Sequence, residues 1–227
     1  MPSGVTVTVT GTGNTTNNGT ATAGARGWSA TQYSPALVTG DSVTSPLVNT
    51  GGCNSTGTCS GLGTLTVAFS QPVQDPVLHL SGIGGAARSG NNQSDLHAVM
   101  DLATPGVSLT KVAGNEQLAV SGTRVTATND STSANCTTTV SGGTVNNAAA
   151  SAACGSVRVN GTVTSVQFTM SAVFVRNSGA DGPANTSGSG DAFGLTVTLS
   201  QDFGDAPATY NPTQAPAHII GDARLGS

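Results

Sequence analysis

The feature that most constrains this chain is a two-residue alternation of apolar with small or polar residues. Near the C-terminus it involves Phe193, Leu195, Val197 and Leu199. That period places all four apolar side chains on one face of a β-strand. Only 8% of the residues are charged, and Ser, Thr, Asn and Gly carry most of the polarity. Such a composition disfavours helices and favours strands, so the sequence predicts an almost entirely β protein.

Further strand patterns follow at short spacing, at residues 5–9, 62–69, 77–83, 96–102, 107–112, 117–120, 125–128, 137–140, 157–159 and 163–175. Segment 77–83 is nearly all apolar, as in a strand buried on both faces. Gly114-Asn115 predicts a hairpin between its two flanking strands, and Gln71-Pro72 predicts a strand end. About ten to twelve antiparallel strands predict a β-sandwich of jelly-roll type. Only 146–153 has the pattern of a short helix.

The length of 227 residues predicts one β-sandwich domain over residues 1–203. Residues 204–227 are rich in Pro and Gly, and we expect them to pack on that domain or lead to a next module. Residues 177–190 are rich in Gly, Ser and Asn and cannot supply a core. They are predicted to form a mobile hairpin tip or a binding loop.

Charge and hydropathy restrict the classes of partner. The net charge is −4 and the arginines are scattered, so no basic surface for nucleic acid is predicted. No apolar run approaches the roughly 20 residues that a membrane-spanning helix requires. The opening residues do not have the pattern of a secretory leader. We therefore expect either a cytosolic protein or an excised part of a larger one.

Four cysteines favour the second of these alternatives. Cys53 and Cys59 enclose one short loop, and Cys136 and Cys154 enclose another. Neither spacing is that of a zinc or redox motif. Four cysteines allow three pairings, of which the two local ones are preferred here, and disulfides indicate an oxidising compartment. The alternative is four free, buried thiols.

Aspartates in Gly-rich turns are the candidate metal ligands. Asp202 and Asp205, with Asp222, offer the oxygen atoms that Ca²⁺ prefers, and Asp181 with Asp191 forms a second candidate pair. In the alternative, these carboxylates cap turns by accepting bonds from their own backbone.

Aromatic and polar residues suggest a ligand surface. Trp28 and Tyr33 lie in an irregular, polar stretch, as in sugar-binding grooves, and Asn177, Asp181 and Asn185 lie in the Gly-rich loop. The commoner alternative for Trp28 is a core position at one end of the sandwich.

Two histidines receive separate predictions from their strand patterns. His79 lies in an apolar strand and is expected to be a hydrogen-bonded core residue. His97 alternates with Leu96 and Ala98 and is expected to be exposed.

Enzyme motifs occur but lack their structural context. Residues 82–87 match a dinucleotide fingerprint without the helix that must follow it. Ser108 and Lys111 match S-x-x-K, but on a strand they face opposite ways. An Asp181/Asp191 pair is the remaining glycosidase hypothesis. A Lys–Asn isopeptide near Gly114-Asn115 is a further alternative to a solvated hairpin tip.

Three stretches carry a resemblance to a known family. They are Thr-Val-Ala-Phe-Ser-Gln-Pro-Val with Pro-Val-Leu-His-Leu-Ser-Gly-Ile-Gly-Gly (residues 66–85), Asp-Ala-Phe-Gly-Leu-Thr-Val (191–197), and Asp-Phe-Gly-Asp-Ala-Pro-Ala-Thr-Tyr (202–210) with Ala217-His218 and Leu225-Gly226. Over about residues 5–227 the chain resembles the second non-repetitive domain of the CshA-type bacterial fibrillar adhesins. The resemblance implies a lectin-like β-sandwich, outside the cell, as a monomeric domain of a longer surface or secreted protein. It carries no ligand-contact motif to transfer.

These observations lead to three hypotheses of function. The first is a non-catalytic adhesive domain that binds a host glycoprotein, a carbohydrate or another cell surface, with Ca²⁺ as the candidate cofactor. The second is a structural spacer in a surface protein. The third is a hydrolase.

Overall fold

The structure is a computed structural model, and it describes residues 4–22, 32–37, 41–50, 57–89, 92–128, 136, 140–141, 144–145, 152–178, 190–203 and 217–219. The strands in this part of the chain are β1 (Val7–Thr12), β2 (Thr15–Thr22), β3 (Ser42–Asn49), β4 (Gly57–Cys59), β5 (Thr64–Gln74), β6 (Val77–Ile83), β7 (Gly85–Ser89), β8 (Asn92–Leu102), β9 (Ser108–Gly114), β10 (Leu118–Ser121), β11 (Arg124–Ala127), β12 (Val140–Ser141), β13 (Thr144–Val145), β14 (Ala153–Asn160), β15 (Thr162–Ser178), β16 (Gly190–Ala192), β17 (Gly194–Thr198), β18 (Gln201–Phe203) and β19 (Ala217–Ile219).

Two antiparallel sheets pack face to face and confirm the predicted β-sandwich. The first sheet has the order β1-β5-β15-β8-β11-β10, with β4 also paired to β15 and β7 to β8. The second sheet has the order β16-β3-β17-β6-β14-β9, with β2 also paired to β3. Two short pairs, β12–β13 and β18–β19, stand apart from these sheets. The described residues thus hold more strands than the ten to twelve predicted, because several strands of two or three residues have no recognisable sequence pattern.

The core lies between the two sheets and is built from the alternating apolar positions. It includes Leu65, Val67, Phe168 and Met170 from the first sheet and Leu78, Leu80, Val157 and Leu195 from the second. The predicted face of the strand at 193–199 is confirmed, since Phe193, Leu195, Val197 and Leu199 are all buried. Each fully buried aliphatic or aromatic side chain of this kind stabilises the fold by roughly 1.5–3 kcal/mol.

A smaller group of side chains covers the outer face of the second sheet. We call it the outer cluster: Tyr33, Cys136, Ala152 and Cys154, with Leu37 packed beside them. Gln32 Nε2 donates a hydrogen bond to the Cys136 carbonyl and ties the covering segment to the disulfide. Every residue of β6 is consequently buried, which confirms the prediction of a strand enclosed on both faces.

One of the predicted disulfides is seen directly and the other in part. Cys136 and Cys154 are bonded, with their Cα atoms 5.7 Å apart. Cys59 is also disulfide-bonded, while Cys53 lies outside the described residues. The hypothesis of four free thiols is therefore wrong.

Removal of the Cys136–Cys154 bond is expected to destabilise the domain. Because the bond closes a loop with a sequence separation of 18 residues, the double substitution Cys136→Ala/Cys154→Ala should lower the free energy of unfolding by about 3 kcal/mol. Urea unfolding under oxidising conditions measures the change, with the single variant Cys136→Ala as a comparison. An unchanged urea midpoint for the double variant would contradict the prediction.

The predicted hairpin at Gly114-Asn115 is wrong. β9 belongs to the second sheet, where it pairs with β14, whereas β10 belongs to the first sheet, where it pairs with β11. The chain passes from the second sheet to the first at Asn115, whose side chain holds this turn. Its Nδ2 donates to Ala152 O at 2.7 Å, and its Oδ1 accepts from the Leu118 and Cys154 backbone N–H groups. The turn is therefore anchored in the interior, and Asn115 is buried rather than at a solvated tip.

Two other boundaries also differ from their predictions. β5 continues through Pro72 to Gln74 instead of ending at Gln71-Pro72. Of the predicted helix at 146–153, only residues 152–153 are described, and Ala153 begins β14. After β17 the chain forms two further strands, β18 and β19, which pair with each other. The predicted boundary at residue 203 stays a prediction: β18 ends there, and of residues 204–227 only β19 is described.

Candidate functional site

A groove of about 330 Å³ opens between the two sheets at the β1 edge. β1 and the residues before it form one wall, and β3 with β17 forms the other. The lining residues are Val5, Thr6, Val7, Val9, Ser42, Thr44, Leu195, Thr196 and Val197. None of them is ionisable, so the groove presents valine and leucine side chains and hydroxyl groups without a formal charge.

The Val/Thr alternation at 5–9 produces the first wall. Val5 is buried in the core, and Val7 and Val9 are partly buried and pack against it. Thr6 and Thr8 between them are exposed. The valines therefore extend the core surface outward to the sheet edge, where part of it meets solvent.

The second wall depends on an incomplete pairing of β3 with β17. Only one residue of β17, Leu195, is paired with β3, opposite Thr44. Side chains supply the remaining links: Thr44 Oγ1 donates to Leu195 O at 3.2 Å, and Thr196 Oγ1 donates to Ser42 O at 2.7 Å. These bonds hold the two strands together and leave hydroxyl-bearing residues beside the apolar groove.

β1 has a backbone edge that is open at Val7, beside this groove. It pairs with β5 on one side, and no other described strand pairs with it. The Ser70 N–H donates to Thr6 O at 3.0 Å, so the antiparallel pattern directs the threonine backbone groups toward β5 and the valine groups away from it. In agreement, Val9 O accepts from Asn17 Nδ2 at 3.2 Å. The Val7 N–H and C=O therefore face the open side.

A second polar arrangement lies under the outer cluster. His79 Nδ1 is 2.8 Å from Ser156 Oγ, and His79 Nε2 is 2.7 Å from Thr198 Oγ1. Ser156 Oγ also accepts from the Ser34 N–H at 3.0 Å. The His79–Ser156 distance is that of a base and a nucleophile, but both residues are completely buried and a substrate could not reach them. His79 is thus the hydrogen-bonded core histidine that its strand predicts.

The pKa of His79 falls to about 4, because burial disfavours the imidazolium more than Asp41 favours it. The neutral ring is therefore the folded form, and its stabilising contribution is complete above pH 6.5 and is lost as the pH falls to 4. We expect wild type to lose about 3 kcal/mol relative to His79→Gln over this interval. Urea unfolding of both proteins at several pH values measures the difference, and parallel pH curves would contradict it.

The structure places Tyr33 in the interior rather than in an open sugar-binding groove. Its side chain is only 4% exposed, and its ring meets His79 edge-on with centroids 6.0 Å apart. Its hydroxyl donates to Leu80 O at 3.3 Å, and burial raises its pKa to about 12. Tyr33 therefore holds the outer cluster against the second sheet.

Asp191 connects the two sheets. Its Oδ2 accepts the Gly84 N–H at 2.9 Å and the Ala98 N–H at 2.6 Å. Burial raises its pKa to about 7, against the opposing effect of these two N–H groups. The carboxyl group points into the interior, where neither the proposed metal role nor the glycosidase role has access to solvent. Its candidate partner Asp181 lies outside the described residues.

His97 differs from its sequence prediction, and Lys111 makes contacts that the sequence did not indicate. His97 is 5% exposed, so the expectation of exposure is wrong. It lies in β8, whose residues 96–100 are buried on both faces. Lys111 Nζ donates to Asn115 O at 2.7 Å and to Leu118 O at 2.8 Å, and burial lowers its pKa. Those bonds tie Lys111 of β9 to residues 115–118, where the chain passes from the second sheet to the first.

The remaining candidate residues are only partly placed. Asn177 lies in β15 and Asp202 in β18. The other candidates fall outside the described residues: Trp28, Asp181, Asn185, Asp205, Asp222 and Cys53. Among the residues that are described, no cluster of three His, Cys, Asp or Glu side chains could hold a metal ion. The same part of the chain contains no helix of the length and apolar character needed to cross a bilayer.

Sequence reasoning missed the groove residues. The alternation at 5–9 and 193–199 identified both strands, but their meeting across the sandwich depends on tertiary structure. One signal was present: residues 4–22 contain no charged side chain, which is unusual for a strand that ends at a sheet edge.

Comparisons with known proteins identify no relative of this chain. No protein-family model matches the chain, and no curated protein or solved structure matches it.

Proposed function

We propose that this chain is a non-catalytic adhesive domain of a bacterial surface or secreted protein, and that it binds a host glycoprotein, a glycan or another cell surface. The groove beside β1 is the observation that carries the proposal. It is open, it lies between two packed sheets, and it combines apolar surface with hydroxyl groups. Binding sites commonly combine these properties.

The chemistry of the groove favours recognition of a neutral ligand. Ser42, Thr44 and Thr196 place hydroxyl groups around the apolar surface of Val7 and Val197. An uncharged partner can bury its apolar groups there and hydrogen-bond at the rim, without the cost of removing a charge from water. The disulfides support a location outside the cytosol.

Calcium enters the proposal through Asp202, Asp205 and Asp222 near the C-terminus. Oxygen donors from a Gly/Asp turn suit this ion. Its proposed role is to order the segment after β17, beyond the Val197 end of the groove, and not to take part in a reaction.

The experiment is a binding screen of the purified oxidised domain against immobilised glycans and matrix glycoproteins. Each surface is tested with calcium and then with chelator. The groove variant Ser42→Arg is compared with Ser121→Arg, which places the same change on the exposed end of β10. We expect saturable binding that Ser42→Arg weakens on the order of tenfold and Ser121→Arg leaves unchanged.

The outcomes separate the hypotheses. Binding that Ser42→Arg does not alter would place the ligand away from the groove. Binding that survives chelator would make Asp202 and Asp205 turn caps and not calcium ligands. A folded, oxidised domain that binds no surface would overturn the adhesive proposal and favour the spacer.

A further inference from the structure

We infer that the groove takes an extended, uncharged segment of another polypeptide, which adds to the open edge of β1 as a further strand of the first sheet. This inference rests on the proposed binding function and names the class of partner. The partner segment carries branched apolar side chains at every second position and small polar residues between them.

The backbone of β1 supplies the first part of the argument. β5 occupies one side of the strand, and the Val7 N–H and C=O face the other side. An arriving strand can bond to those groups without breaking any bond between β1 and β5. Main-chain bonding of this kind gives affinity in the known modes of strand addition.

The groove beneath that edge supplies the second part. A strand added beside β1 directs alternate side chains toward the interior of the sandwich. There they meet Leu195 and Val197 of the second sheet, which belong to the same core cluster as Val5. The groove is thus continuous with the core, and the added side chains extend an existing layer of apolar packing.

Charge determines which segment fits. No lining residue is ionisable, and residues 4–22 carry no charge. Edge strands are usually guarded by lysine, proline or an inward-pointing charge, which prevent pairing with other chains. β1 has none of these guards. A charged partner side chain would lose hydration without a counter-charge, so the complementary segment is neutral.

The probe for this inference is the peptide acetyl-Thr-Val-Thr-Val-Thr-Val-Thr, with a fluorophore on a soluble Gly-Ser-Lys extension. Fluorescence anisotropy with the oxidised domain measures its Kd. Two modified peptides serve as a matched pair, one N-methylated at the valines and the other at the inner threonines. In antiparallel addition the valine N–H groups face β1, so methylation there should weaken binding on the order of tenfold or more.

A matched pair of protein variants tests the same edge. Val7→Lys places a charge in the groove, whereas Thr8→Lys places it on the exposed outer side of the same strand. We expect Val7→Lys to abolish peptide binding and Thr8→Lys to retain it. If Val7→Lys does not fold, the methylated peptides alone decide the question, since they leave the protein unchanged.

Equal affinities for the two methylated peptides, or no binding of the unmodified peptide, would overturn the inference. A domain that instead forms dimers through this edge, detected by sedimentation and abolished by Val7→Lys, would also overturn it by making a second copy the partner. The proposed function and the strand-addition mechanism can fail separately. If the domain binds glycans or matrix proteins, and Ser42→Arg weakens that binding, but the peptide tests fail, then the proposed function stands and only strand addition is wrong.

Discussion

Replacing Asp191 by alanine is expected to lower the free energy of unfolding by about 4 kcal/mol at pH 4. The substitution leaves the buried N–H groups of Gly84 and Ala98 without the oxygen that accepts both of them. Each buried, unpaired donor costs about 2 kcal/mol. Urea unfolding monitored by intrinsic fluorescence measures the loss.

Asp191→Asn is the matched control, because an amide oxygen can still accept both bonds. It also separates hydrogen bonding from charge. The pKa of Asp191 is raised from 3.8 to about 7, so its stabilising contribution is complete below pH 3.8 and is lost as the pH rises to 7. Wild type should therefore lose about 4 kcal/mol relative to Asp191→Asn between pH 4 and pH 8. Asp191→Ala unfolding with the wild-type midpoint at pH 4 would contradict this assignment.

Phe168→Ala is expected to cost about 4 kcal/mol, since it removes a large side chain from the centre of the core. Phe168 is fully buried in β15 and lies opposite Leu65 of β5 and Leu102 of β8. Strands on both sides of β15 hold the backbone in place, so the surrounding residues cannot collapse far into the resulting cavity.

Thr169→Ala is the control for Phe168→Ala, because it truncates the next residue, whose side chain is exposed. Its effect should stay within about 0.5 kcal/mol. Thermal and urea unfolding of both variants measure the contrast. Equal losses for the two positions would mean that the core does not lie on the Phe168 face of β15.

Much of the fold could be predicted from local patterns. Alternation identified β1, β8 and β17, and the continuous apolar run identified β6 as doubly buried. The failures occurred where distant partners decide the structure. Asn115 looks like a hairpin residue in the sequence, but its bonds to Ala152 and Cys154 turn the chain toward the other sheet. His97 alternates with apolar neighbours as an exposed residue would, yet it is buried in β8.

The candidate site was less predictable than the fold. The groove unites Val7 with Leu195 across most of the length of the chain, and no local signal indicates that these two strands share a cavity. The edge position of β1 is likewise a property of sheet order. The Cys136–Cys154 bond is the exception, because the preference for pairing cysteines that enclose a short loop proved right there.

The position of β17 has a consequence for how the domain is made. This late strand lies between β3 and β6, which precede it by more than a hundred residues. A chain emerging in order during synthesis or export therefore cannot close its second sheet until residue 198 is free. Until then β6 has an unpaired edge on the side that β17 later occupies, which favours aggregation. Folding of this domain should accordingly be completed after translation or translocation of nearly all of it, with slow, non-local pairing as the final step.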